Sequence, residues 1–86
     1  MGALMIEIEF DPAKDRVNRR KHGMPLGFAA RLLANDPEYE ADEDHSIEEA
    51  RYKAVGFIGE RLCICVFTWR GERARIISLR QATRAE

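Results

Sequence analysis

The run LCICVF at residues 62–67 decides the fold, because every one of its positions is apolar. On a strand, successive side chains point to opposite faces of the sheet, so a strand without polar positions is covered on both faces. Such a strand lies at the centre of a sheet. We therefore predict a central strand over residues 62–69 that is packed against helices on at least one side.

Two further strands are predicted on either side of this run. Residues 52–58 precede it and residues 74–79 follow it, and each is separated from it by a turn that contains glycine, Gly59 in one case and Gly71 in the other. Links of two to four residues of this kind are typical of antiparallel hairpins. Residues 5–10 alternate apolar and acidic side chains, which predicts an N-terminal strand with one face in water.

A charged helix is predicted between the N-terminal strand and the sheet. Asp11 is a favourable N-cap, Pro12 is favourable at the first helical position, and Gly23 supplies a left-handed C-cap after residue 22. Ala13 and Val17 are the only apolar residues of this helix, so we expect a narrow apolar stripe to hold it against the sheet.

A second helix is predicted over residues 26–33 from its apolar spacing, and residues 81–86 are predicted to begin a short C-terminal helix. A chain of 86 residues supports only one hydrophobic core. The predicted fold is therefore α+β in a single domain, residues 1–86: an N-terminal strand, two helices, a twisted antiparallel sheet and the short C-terminal helix.

Charge is distributed unevenly along the chain, although the net charge is only −1. Residues 36–49 hold eight acidic residues and no Lys or Arg, whereas residues 14–21 hold five basic residues and residues 61–84 hold six against one Glu. Such asymmetry indicates charged partners. The acidic segment is interpreted either as a solvated strand or arm with a loop, or as a contact for a basic partner that also screens the basic patch.

Several classes of site are not indicated by the sequence. Cys63 and Cys65 point to the same face of one strand and cannot pair with each other, and free thiols fit a reducing cytoplasm. No metal-ligand spacing, glycine-rich phosphate loop or Ser-His-Asp set is apparent, and no apolar run approaches the roughly 18 residues of a membrane span. We therefore expect a cytoplasmic protein without a cofactor or metal.

The first helix carries a candidate phosphate-binding surface. At 100° per residue, Lys14, Asn18, Lys21 and His22 fall within an arc of about 100°. This arc combines hydrogen-bond donors with one titratable ring. The alternative is a surface helix whose charges are merely solvated, with His22 stabilised by the dipole at the helix C-terminus.

The last predicted strand carries a second basic surface. Alternation places Arg75 and Ile77 on one face and Ser78 on the other. Arg80 follows just past the strand end or in the first turn of the next element, and Arg70 adds a guanidinium from the neighbouring strand. Guanidinium groups match two phosphate oxygens at once. Alternatively, these arginines pair with glutamates of the turns or of the acidic arm.

Glu49 and Arg51 lie just before the sheet, where a carboxylate and a guanidinium approach the basic strands. RNA cleavage needs a base for the 2′-hydroxyl proton, an acid for the leaving 5′-oxygen and cations for the charge on phosphorus. An imidazole serves either proton role near neutral pH. His22 and Glu49 are therefore the candidates for proton transfer.

Five segments together resemble a known family. They are FDPAK at 10–14, KHG at 21–23, EEAR at 48–51, TWRG at 68–71 and RIISLRQAT at 75–83. In this order, and over nearly the whole chain, they are similar to the BrnT toxins of bacterial type II toxin-antitoxin systems, which have a RelE-like ribonuclease fold. Phe67 stands where many relatives have Tyr or His, which leaves more of the proton transfer to His22.

The resemblance implies a metal-independent endoribonuclease that cleaves RNA and inhibits translation. It also implies a BrnA-type antitoxin with a ribbon-helix-helix domain, a hetero-oligomer with that antitoxin, and indirect binding of operator DNA through it. By matching motif positions, the resemblance implies a set of functional residues but not their individual roles. From the chemistry of the side chains, the candidate catalytic residues are His22, Glu49, Arg51, Arg75 and Arg80, and the candidate RNA-binding residues are Lys14, Lys21 and Arg70. The alternatives are a non-catalytic module of the same fold that binds nucleic acid or the antitoxin, and a purely structural interaction protein.

Overall fold

The computed structural model describes residues 6–42 and 50–83. It is a mixed α/β structure with a five-stranded sheet and two helices. The elements are β1 (Ile8–Glu9), α1 (Pro12–His22), a 3-10 turn (Leu26–Phe28), α2 (Ala29–Leu33), β2 (Glu38–Asp42), β3 (Arg51–Ile58), β4 (Arg61–Arg70) and β5 (Arg73–Gln81).

The strands are arranged in the order β1-β5-β4-β3-β2, so β4 lies at the centre as its apolar run predicts. Strands β2 to β5 pair with one another in antiparallel directions. The short β1 instead runs parallel to β5, with Ile8 opposite Ala74 and Glu9 opposite Arg75. The predicted antiparallel meander of the last three strands is confirmed, and the N-terminal strand, whose direction was not predicted, joins the same sheet in the parallel direction.

The predicted order of elements is also wrong at its end, because the sheet occupies the C-terminal part of the described chain. Gln81 belongs to β5 and pairs with Cys63, and the backbone N–H of Ala82 donates to the Leu62 carbonyl at 2.8 Å. These backbone hydrogen bonds outweigh the weak helix propensity that suggested a C-terminal helix from residue 81. Residues 84–86 lie outside the described residues.

The core lies between the helices and one face of the sheet. The helical side contributes Met24, Leu26, Ala29, Leu32 and Leu33, and the sheet contributes Ala54, Cys63, Cys65, Phe67, Ala74, Ile76 and Leu79. We call the opposite side of the sheet the open face. Its residues on the three longest strands are Arg51, Lys53, Val55 and Phe57, then Leu62, Ile64, Val66, Thr68 and Arg70, then Arg73, Arg75, Ser78 and Arg80.

Helix α1 begins and ends where its sequence predicts. The Asp11 carboxylate accepts a hydrogen bond from the Ala13 N–H at 2.9 Å, and Gly23 ends the helix at a φ of 70°. The expected apolar stripe is wrong, however, because both Ala13 and Val17 are exposed. The one buried residue of α1 is Asn18, a polar residue.

A β-bulge interrupts β5 beside β4. Val66 pairs with Ser78 and the next residue of β4 pairs with Ile76, so Ile77 has no opposite residue. One extra residue reverses the alternation of faces beyond it. Leu79 consequently lies in the core, and the prediction that Ser78 lies on the face opposite to Arg75 is wrong.

Candidate nucleic-acid interface

An open cleft of about 280 Å³ lies between α1 and β5. We call it the α1–β5 cleft. Lys14, Lys21 and His22 all line it, so the structure brings together three of the residues predicted from the helical arc. The complete lining is Ala13, Lys14, Val17, Asn18, Lys21, His22, Ile77 and Ser78.

The spacing of the cationic residues follows from helix geometry. Lys14 and Lys21 are seven residues apart, which places them on one side of α1 and about 10 Å apart along its axis. Val17 lies between them on the same side. Within the described part of the chain, the side chains of Lys14, Lys21 and His22 form no hydrogen bond or ion pair, so their polar groups are available to a ligand.

Asn18 is not a ligand-binding residue, although the helical arc included it. Its Nδ2 donates to the carbonyls of Met24 and Leu79, each at 2.8 Å, and its Oδ1 accepts from the Leu79 N–H at 3.1 Å. Both donor hydrogens are occupied by buried backbone groups. Asn18 therefore positions α1 against β5 and leaves the cleft chemistry to its neighbours.

Two arginines of β5 have acidic partners in the N-terminal segment, at or next to β1, which the predictions did not connect to them. Arg75 Nη1 lies 2.7 Å from Glu9 Oε2, and Arg73 Nε lies 3.1 Å from Glu7 Oε2. The alternative of pairing to glutamates is therefore confirmed in kind, but the partners come from the N-terminal segment. The parallel pairing of β1 with β5 is what brings them together.

Arg51 and Arg75 share a row on the open face. Tyr52 pairs with Phe67 and Thr68 pairs with Arg75, so Arg51 lies beside Thr68 and two strands from Arg75. Strands are about 4.8 Å apart, which separates the two arginine backbones by about 10 Å. The Thr68 hydroxyl donates to the Ala50 carbonyl at 2.7 Å and fixes the start of β3 in this row.

Arg80 lies within β5 rather than past its end, opposite Ile64 on the open face. It is two residues beyond Ser78, whose position lies on the open face and which also lines the α1–β5 cleft. The cleft and the arginine-bearing face are therefore continuous at Ser78.

Two predicted residues are not brought to the cleft. Arg70 lies at the turn between β4 and β5 opposite Arg73, about 15 Å along the strand from Ser78 at 3.3 Å per residue. It is exposed and apart from the lysines of α1. Glu49 lies outside the described residues, so its predicted role stays a prediction.

The two thiols are poor nucleophiles. Cys63 and Cys65 are free and buried on the core face of β4. Burial raises the pKa of the Cys65 thiol to about 12, and burial also raises the pKa of Cys63. Both are protonated at neutral pH. Residues 6–42 and 50–83 contain no group of three or more His, Cys, Asp or Glu side chains placed to hold a metal, and none of their helices is long and apolar enough to cross a membrane.

Three apolar residues of the cleft, Ala13, Val17 and Ile77, were not predicted as part of a site. The position of Val17 midway between Lys14 and Lys21 was a usable signal, because residues three and four apart share a helix side. Ile77 carried no such signal, since its orientation depends on the bulge.

Both walls of the cleft lie within one family match. The model of the family described as the ribonuclease toxin BrnT of type II toxin-antitoxin systems matches residues 10–86. The chain belongs to the BrnT family. A search of curated proteins gave no match. As a BrnT protein, the chain is the toxin of a toxin-antitoxin pair, its family is one of ribonucleases, and its partner is an antitoxin. The matched region contains both α1, with the cleft residues Lys14, Lys21 and His22, and the whole of β5.

Proposed function

We propose that this BrnT protein is a metal-independent endoribonuclease of RelE-like fold that cleaves RNA in the bacterial cytoplasm and thereby inhibits translation. The observation that carries the proposal is the continuity between the α1–β5 cleft and the open face at Ser78. A bound RNA strand meets cations on both sides of this junction. Metal independence rests on the family resemblance.

Phosphate binding is assigned to the cationic groups around the junction. Lys14 and Lys21 contact the backbone along the cleft, and Arg51, Arg75 and Arg80 contact phosphates on the open face. Arg75 meets Glu9 through Nη1, and a guanidinium carries five N–H donors, so the same side chain can be held by Glu9 and still donate to a phosphate.

Proton transfer is assigned to His22, with Glu49 as its predicted counterpart. In the cleavage step a base removes the 2′-hydroxyl proton, the 2′-oxygen bonds to phosphorus, and the bond from phosphorus to the 5′-oxygen breaks as an acid protonates that oxygen. The products are a 2′,3′-cyclic phosphate and a free 5′-hydroxyl. Arginines stabilise the charge that develops on the phosphate oxygens.

Phe67 does not replace a proton donor of this site. It is only 1 % exposed and packs on the core face against Tyr52 and Trp69, with ring centroids 5.8 and 5.4 Å away. A titratable ring at this position would face the core. The departure from many relatives at residue 67 therefore does not by itself remove a group from the open face.

The partner is proposed to be a BrnA-type antitoxin with a ribbon-helix-helix domain, which forms a hetero-oligomer with this chain and carries it to operator DNA. The basic open face and the cleft are the surfaces that such a partner must cover to prevent RNA binding. The acidic segment 36–49 is a second proposed contact for it, of which residues 43–49 lie outside the described residues.

The test is cleavage of a labelled single-stranded RNA by purified protein in excess EDTA. Because one proton-transfer group contributes roughly 10²–10⁴ in rate, His22→Ala is expected to lower cleavage by at least about 100-fold. Arg20→Ala is the control, since Arg20 is exposed on α1 and does not line the cleft. Cleavage by His22→Ala at the wild-type rate would remove the role of that ring. Salt-dependent RNA binding without any cleavage by the unmodified chain would instead support the non-catalytic module.

A further inference from the structure

The α1–β5 cleft is lined by both apolar and polar side chains, and we call the apolar part of the lining its floor and the polar part, which includes Lys14 and Lys21, its rim. Ala13 and Val17 contribute to the floor from α1, and Ile77 contributes from β5. Val17 is 51 % exposed, which makes it one of the most exposed large apolar side chains in the described chain. A phosphate group alone gains nothing from such a floor, because an anion loses solvation against apolar surface.

The bulge in β5 creates this floor. Ile77 has no opposite residue in β4, and so its side chain is freed from the regular alternation of core and open face. The same bulge turns Ser78 to the open side, where its hydroxyl can donate and accept at the cleft wall. The apolar side chain of Ile77 therefore lies next to the hydroxyl group of Ser78, which can both donate and accept a hydrogen bond.

The rim completes a set of groups that matches one class of ligand. Lys14 and Lys21 lie at the two ends of the floor, about 10 Å apart along the helix axis. His22 supplies the one aromatic ring among the cleft residues. Unpaired bases of single-stranded RNA are held by apolar and ring stacking together with hydrogen bonds to their edges, while cations hold the flanking phosphates.

We propose that the α1–β5 cleft is a nucleobase-binding subsite, which takes one unstacked base of single-stranded RNA between Val17 and Ile77. Lys14 and Lys21 bind the phosphates on either side of that nucleotide, and Ser78 hydrogen-bonds the edge of the base. The inference rests on the proposed ribonuclease function and names the part of the RNA that this cleft recognises. It also makes the cleft a determinant of which RNA sites are bound.

The volume is consistent with one base and not with a duplex. The cleft measures about 280 Å³, close to the lower end of roughly 300–1,000 Å³ for small-ligand sites. A base held between Val17 and Ile77 must leave its stack, so paired RNA is excluded unless it opens. Single-stranded segments are therefore the expected substrate.

The experiment is a titration of the full isotope-labelled chain followed by backbone amide NMR. The probes are the four nucleoside 5′-monophosphates and, as a ligand without a base, ribose 5-phosphate. We expect each preferred nucleotide to shift amides of α1 and of residues 77–78, and to bind at least about fivefold more tightly than ribose 5-phosphate, since a buried base removes apolar surface from water.

Val17→Ser is the test variant and Phe57→Ser is its matched control. Both replace a half-exposed apolar side chain, but Phe57, 50 % exposed, lies on β3 and away from the cleft. We expect Val17→Ser to remove the advantage of nucleotide over ribose 5-phosphate and Phe57→Ser to keep it. Amide spectra of both variants check that the fold is retained.

Several results would overturn the subsite. These are equal affinities for nucleotide and ribose 5-phosphate, nucleotide-induced amide shifts confined to other surfaces, or no nucleotide binding. A Val17→Ser variant that keeps the wild-type preference for nucleotide over ribose 5-phosphate would also overturn it. Loss of antitoxin binding in Val17→Ser with nucleotide binding intact would assign the cleft to the protein partner. Nucleotide binding in a chain that never cuts RNA would sink the ribonuclease proposal and leave the subsite standing.

Discussion

The side-chain amide of Asn18 takes the place of a missing neighbouring strand for Leu79. Strand β1 ends at the level of Arg75, so the edge of β5 beyond that point has no strand beside it. The Asn18 amide both donates to the Leu79 carbonyl and accepts from the Leu79 N–H. A single side chain thus satisfies the strand edge and fixes α1, with its cleft residues, against β5.

Replacement of Asn18 by Ala is expected to destabilise the protein by about 2–4 kcal/mol, because buried backbone groups of Leu79 and Met24 lose their partner. Urea unfolding followed by circular dichroism measures this change. Asn18→Asp should cost at least as much, since it removes both donors and points an anion at two carbonyl oxygens. Arg20→Ala is the control and should stay within about 0.5 kcal/mol. An equally small effect of Asn18→Ala would contradict the role assigned to its amide.

The two ion pairs of the parallel edge should differ in strength. The Arg75–Glu9 side chains are 36 % and 30 % exposed, whereas those of Arg73–Glu7 are 59 % and 73 % exposed. Solvent screens the second pair more strongly, and exposed pairs contribute about 0–1 kcal/mol. Double-mutant cycles to Met and Gln at low salt are expected to give about 1 kcal/mol of coupling for Arg75–Glu9 and less than half of that for Arg73–Glu7. Equal coupling energies would show that solvent exposure does not determine the strength of these ion pairs.

Any side chain larger than that of glycine at position 56 is expected to destabilise the protein. A Cβ built there would lie 3.0 Å from the Pro37 Cβ and 3.3 Å from its Cα, between strand β3 and the segment that enters β2. Gly56→Ala should therefore cost about 1–3 kcal/mol by overpacking. Gly27→Ala is the matched control, because its Cβ would meet only a Phe10 ring atom at 3.9 Å. Thermal unfolding of both variants tests the difference, and equal melting temperatures would refute the packing argument.

Burial of Cys65 makes stability depend on pH in the alkaline range. Its pKa rises from 9.0 to about 12 in the folded chain. Between these values the folded state retains a proton that the unfolded state releases, so the free energy of unfolding falls as pH rises from about 9 towards 12. The free energy of unfolding of Cys65→Ala should decline less steeply over that range than that of the unmodified chain, measured by urea unfolding at several pH values.

The burial of both thiols also predicts their reactivity. At pH 8, iodoacetamide should modify Cys63 and Cys65 only after unfolding. Rapid modification of the native chain would contradict their burial.

Local signals predicted the parts of the fold that depend on neighbouring residues. Asp11 and Gly23 mark the ends of α1 because capping requires only adjacent groups, and the apolar run at 62–67 marks the central strand because a strand with neighbours on both sides has few exposed positions. The pairing of β1 with β5 could not be predicted in the same way. It involves two residues of β1 and partners more than sixty positions away, and no local pattern distinguishes parallel from antiparallel pairing for so short a strand.

The positions of the candidate site residues on α1 could be predicted from helix periodicity. The positions of those that follow the bulge in β5 could not be predicted. The spacing of Lys14, Lys21 and His22 on a helix is fixed by 100° per residue, and these residues do line one cleft. One extra residue at Ile77 reverses the faces of everything after it in β5, so the alternation that placed Arg75 correctly misplaced Ser78. Asn18 was wrongly placed in the phosphate-binding arc, because its hydrogen bonds to the edge of β5 depend on Leu79, which is distant in the sequence.

The contact between Asn18 and Leu79 joins residues 61 positions apart, so it can form only after β5 has been synthesised. A nascent chain that extends only through β4 has α1 but no second wall for the cleft and no neighbour for β1. Non-local contacts of this kind also form late, because a long loop must close before they are gained. The chain therefore acquires the surface proposed to attack RNA only when β5 has been synthesised and folds against α1.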